Sequence, residues 1–79
     1  MKIVKVSWID SRGSRDRWVE LEEIKKETIC QCESIGFLVH EDNEKVVVMP
    51  HYGHDPKQGC GDMTIPKVSI IEIIELTKG

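Results

Sequence analysis

Hydrophobic and polar positions alternate from Lys2 to Ile9, with Val4, Val6 and Trp8 on one face and Lys5 and Ser7 on the other. A period of two predicts a half-buried strand. Asp10, Ser11, Gly13 and Ser14 follow, and such side chains favour turns over ladders. Trp18 to Glu27 carries the one helical pattern: Trp18, Leu21 and Ile24 recur every third residue. Glu20, Glu22 and Glu23 come early and Lys25 and Lys26 late, which complements a helix dipole.

From Ile29 onward the pattern returns to β. Ile35, Phe37 and Val39 alternate with Gly36, Leu38 and His40. Glu41-Asp42-Asn43-Glu44 turns the chain, and Val46 to Met49 comes back as the second arm of a hairpin. Gly36 within a strand predicts a bulge or a sharp bend. His51 to Asp62 reads as a polar, glycine-containing loop. Met63-Thr64-Ile65 is a short strand stopped by Pro66, which cannot donate to a ladder. Pro66 to Ser69 fits one tight turn, and Ile70 to Leu76, with four isoleucines in seven positions, is the last strand.

About five strongly bent antiparallel strands, one short helix after the first, and a tight turn between the last two predict a mainly β chain. The expected architecture is a small SH3-like or Sm-like barrel, since closure removes exposed edges. Seventy-nine residues make a single domain, 1–79. Folding a chain this short hides only roughly 60% of its unfolded surface, so self-association is expected as a source of further stability.

Fourteen acidic against 11 basic residues give a net charge of -3, which argues against a broad nucleic-acid-coating face. The apolar runs are far shorter than the ~20 residues of a spanning helix, and no hydrophobic leader follows Met1. Three cysteines suit a reducing cytoplasm better than a disulfide framework.

Val6-Ser7-Trp8-Ile9-Asp10-Ser11 with Trp18, then Ser34 to Val39, then Ile65-Pro66-Lys67 with Ile70, Ile73 and Leu76, resemble a family of small bacteriophage proteins, most of them uncharacterised. The resemblance spans most of the chain and implies a small β-barrel accessory protein acting in the cytoplasm of a bacterial host. It brings no catalytic residue, and it does not include the 51–60 segment. Ile65 to Leu76 alone also resembles the last strands of Sm-like proteins, which assemble rings. Their glycine-bearing RNA-binding motif is replaced here by Pro66-Lys67, which removes support for RNA binding.

The chemistry on offer lies in three places. All three arginines, Arg12, Arg15 and Arg17, surround Gly13, and guanidinium groups pair bidentately with phosphate. Trp18 beside them is suited to stacking on a base. The plainer reading is a polar loop neutralised by Asp10 and Asp16, with Trp18 in the core. Lys67 in its rigid turn is a second anion donor, or a plain surface lysine. Third, His51, His54 and Cys60, with Cys30 and Cys32 elsewhere, are zinc-ligand types, but Cys-x-Cys is poor zinc-finger spacing. The reading preferred is no metal and no cofactor.

No nucleophile elbow, phosphate loop or metalloprotease helix is present, so no enzyme is expected. The function expected is a self-associating phage accessory protein that binds a host protein or a small anionic, nucleotide-like ligand, with countering host defence as a role it would serve. Arg12, Arg15, Arg17, Trp18 and Lys67 are its expected ligand residues. The alternatives are a nucleic-acid-binding barrel using the arginine loop and Trp18, and a zinc-stabilised adaptor. No membrane association is expected.

Overall fold

The computed structural model describes residues 1–13 and 16–78. Its strands are β1 (Ile3–Asp10), β2 (Cys30–Glu41), β3 (Lys45–Met49), β4 (His51–His54), β5 (Lys57–Cys60), β6 (Met63–Pro66) and β7 (Ile70–Leu76). Among the described residues the one α-helix is α1 (Leu21–Ile24), and a 3-10 turn over Lys67–Ser69 joins β6 to β7. Five strands form an antiparallel sheet in the order β6-β3-β2-β1-β7, and β4 and β5 pair only with each other.

The expected closure into a barrel is not there: β6 and β7 remain the two edges of an open sheet. The sheet is nevertheless bent hard. Pro66 lies opposite Lys45, beyond the Glu41 end of β2, whereas Ile70 lies opposite Trp8, which pairs with Cys32. On a flat sheet those two levels of β2 would be about 30 Å apart at ~3.3 Å per residue. Four residue steps from Pro66 to Ile70 reach at most about 14 Å. Only a β2 that folds over on itself lets so short a turn connect the two edges.

Gly36 marks the fold-over. A β-carbon there would stand 2.6 Å from the Met49 carbonyl oxygen, so only glycine admits β3 at this distance. The ladder slips a little further on, between Leu38 and His40. The alternation in β2 therefore buries the opposite set from the one its apolar residues advertise: Leu38 packs on the core, while Ile35 and Val39 are exposed.

The core lies in the trough of this bent sheet. Val4 and Val6 of β1, Val46 and Val48 of β3, and Ile65 of β6 are buried, with Trp8, Leu38, Ile70 and Ile73 packed around them. Trp8 faces inward as its strand period predicts, and its indole N–H donates to Ser34 Oγ at 3.0 Å. At the sheet's margin the segment expected as a loop, His51 to Asp62, is instead the β4–β5 hairpin. Tyr52 anchors it, edge-on to Phe37 with ring centroids 5.8 Å apart. The molecule is elongated, 52 × 27 × 25 Å.

The β2–β3 turn is held by one carboxylate. Asp42 Oδ1 accepts the Glu44 and Lys45 amide N–H groups at 2.8 and 2.9 Å, and its Oδ2 lies 2.8 Å from His40 Nε2. The hydrogen bond from His40 and then the two amides hold Asp42 well below its ordinary value of 3.8. A depressed folded value means the turn's contribution is fully present above pH ~4 and is lost as pH falls through the folded value. Asp42→Ala is expected to lower Tm by several degrees at neutral pH and to flatten its fall below pH 4. Thermal melts from pH 7 to pH 2 check this, and a variant with the wild-type acid limb would contradict it.

Candidate functional site

The chain leaves β1 at Asp10, whose carboxylate accepts the Ser11 N–H at 2.9 Å, and returns to the sheet only at Cys30. Between them the expected ten-residue helix shrinks to the four residues of α1, entered through an extended Glu20 with no side-chain cap. Its first turn carries Glu22 and Glu23, but its last turn has no basic residue. A helix this short gains little from its own backbone bonds.

Because α1 does not lie down on the core, its apolar residues are left in solvent. Trp18 is fully exposed, Leu21 is 71% exposed and Ile24 48%. The core placement weighed for Trp18 is thereby corrected: three-residue spacing creates an apolar side, but the sheet's trough is already filled by β1, β3 and β6.

These side chains line an open cleft of about 590 Å³ beside α1. Arg12 and Arg17 line it together with Trp18, Leu21, Ile24 and Glu27. Three of the expected ligand residues are thus brought together. Arg15 lies outside the described residues. Lys67 does not line the cleft; its ammonium pairs with Glu41 at 2.6 Å. Lys67 therefore stands apart from the cleft, as a separate anion candidate paired with Glu41.

Arg17 approaches Glu23 at 4.0 Å, with both side chains more than half exposed. Such an ion pair is worth little in water, so the guanidinium remains available to a stronger anion. The cleft combines an aromatic face, an apolar floor and two guanidinium groups. That arrangement suits a planar ring carrying a negative charge. The sequence signalled the cations and the tryptophan, whereas Leu21 and Ile24 read as ordinary core-facing helix positions.

The other sequence-flagged groups fall elsewhere. His51 is opposite Cys60 across the hairpin, and Tyr52 and His54 are stacked with ring centroids 4.4 Å apart. Cys30 and Cys32 share one face of β2, and the Cys32 thiol lies 3.7 Å from Cys30 Sγ. Partial burial, then the hydrogen bond to Cys30, push the Cys32 thiol up, with Asp10 adding to this and Arg12 opposing it. Among the described residues no group of three or more His, Cys, Asp or Glu side chains is arranged to hold a metal. Among the described residues, no helix is long and apolar enough to cross a membrane. No protein-family model, curated protein or solved structure matches this chain.

Proposed function

We propose that this is a non-enzymatic binding protein whose Arg12–Glu27 cleft takes a small anionic ligand with a planar ring, such as a nucleotide. The observation that carries the reading is a fully exposed Trp18 in one cleft with Arg12 and Arg17. A soluble protein rarely leaves an indole entirely in water beside further apolar side chains unless something covers it. Stacking on the indole and charge-assisted hydrogen bonds to two guanidinium groups answer the two halves of a nucleotide. A binder of this kind, if it acts in a bacterial cytoplasm as the resemblance to small phage proteins implies, would counter host defence by capturing a nucleotide signal. The strand order and the 3-10 link between the last two strands support an SH3-like or Sm-like kinship. Unpaired β6 and β7 edges support self-association.

Calorimetric titration with nucleoside mono- and triphosphates tests the reading. Wild type is expected to bind saturably, and Trp18→Ala or Arg12→Ala to weaken binding at least about tenfold, the equivalent of ~1.4 kcal/mol. Because Trp18 touches no core residue, Trp18→Ala should leave Tm unchanged. Absence of saturable heat with every nucleotide would overturn the reading. Tight, strongly salt-dependent binding of a single-stranded oligonucleotide in its place would favour the nucleic-acid alternative, in which Trp18 stacks on successive bases.

A further inference from the structure

The register places Cys30 opposite Asp10 and Cys32 opposite Trp8, so both thiols lie on the inner face of β2, at the open end of the trough. Both are partly exposed, and all three cysteines are free. β3 pairs with β2 only from Phe37 onward, so it does not cover β2 beside the two thiols.

The spacing of the two sulfurs decides what they suit. At 3.7 Å they are free thiols, with Cys32 donating a hydrogen bond to Cys30. Residues two apart on an extended strand have α-carbons about 6.6 Å apart, near the upper limit for a disulfide, whose β-carbons must close to ~3.8 Å. Closing the bond requires the two β-carbons to move towards each other. A metal ion needs no such movement. With metal–sulfur bonds of ~2.3 Å, two thiolates on a tetrahedral ion are about 3.8 Å apart, and on a linear ion about 4.6 Å. The observed spacing matches the tetrahedral edge.

We propose that Cys30 and Cys32 form a two-thiolate site for a thiophilic tetrahedral divalent cation of the zinc class. Two coordination positions are left for water or another exogenous ligand. Softness of the donors selects zinc-like ions over magnesium or calcium. Asp10 and Arg12 are both near enough to Cys32 to act on its charge, with opposite signs. This site uses neither Trp18 nor Arg17, and Arg12, which acts on the Cys32 charge, also lines the cleft.

Zn²⁺ titration followed by native mass spectrometry, with Co²⁺ as an absorbing substitute, tests the site on the reduced full chain. Wild type is expected to hold Zn²⁺ and to give Co²⁺ the thiolate charge-transfer and intense ligand-field bands of a tetrahedral complex. Cys30→Ser and Cys32→Ser should each weaken metal binding at least about tenfold, and Cys60→Ser should leave it unchanged. Circular dichroism of each variant separates loss of a ligand from loss of fold, since a serine in either place keeps the strand. Equal binding by wild type and the Cys30→Ser/Cys32→Ser double variant would overturn the proposal and assign the metal to the histidine hairpin. Loss of binding in Cys60→Ser, or no binding by wild type, would also overturn it.

Discussion

Gly36→Ala is expected to destabilise the protein by about 3 kcal/mol. A β-carbon at this position meets the oxygen, carbon and nitrogen of the Met49 backbone at 2.6, 2.9 and 3.2 Å. No rotamer change relieves a clash with backbone, so β3 must withdraw from β2 just where the sheet folds over. Loss of that approach also loosens Val46 and Val48, which enter the core from the same strand. At roughly 0.05–0.15 kcal/mol per residue, a chain of this size has about 4–12 kcal/mol in total. One methyl group therefore removes a large share of it. Gly13→Ala is the control, because nothing lies within 4 Å of a β-carbon there. Urea unfolding of both variants checks the contrast, and equal midpoints would refute the account of the bend.

Ile65→Ala is expected to cost a similar amount, about 3 kcal/mol, for a different reason. Ile65 is completely buried and sits on an edge strand of only four residues, paired across to Val46. Removing three carbons leaves a cavity between β3 and β6, and neither strand can close it without moving the short turn that leads to Ile70. Ile65→Val, which keeps most of the volume, should cost only about 1 kcal/mol. Chemical denaturation of the pair measures both. A cost for Ile65→Ala no greater than for Ile65→Val would mean that β6 does not complete the core.

The framework strands were legible because each one buries one face. Val4, Val6 and Trp8 alternate in sequence and do point inward, and Val46, Val48 and Ile65 close over them. The β2–β3 hairpin and the turn before β7 were legible from Asp42, Asn43 and Pro66 for the same local reasons. What failed depended on the third dimension. Nothing local in Ile35-Gly36-Phe37 says that the glycine side faces the core, because that follows from how closely Met49 approaches. The sequence also could not show that the sheet's edges come near without pairing.

The β4–β5 hairpin was missed because its residues are polar and glycine-containing. Its ladder is stabilised by Tyr52 against Phe37 rather than by an apolar period. The cleft was half legible. Clustered arginines beside a tryptophan are visible in any reading, but the exposure of Trp18, Leu21 and Ile24 follows from a trough already full. Cys30-x-Cys32 was discounted on finger-type spacing, a criterion for loops. On a strand the same spacing puts two sulfurs on one face, 3.7 Å apart.

The most direct test of the central claim is acrylamide quenching of Trp18 fluorescence in a Trp8→Phe background, with and without nucleotide. The cleft account predicts quenching close to that of free tryptophan in the unliganded protein, and strong protection on saturation with a nucleotide. Protection should be lost in Arg12→Ala and Arg17→Ala. A Trp18 shielded before any ligand is added, or one that no nucleotide protects, would contradict it.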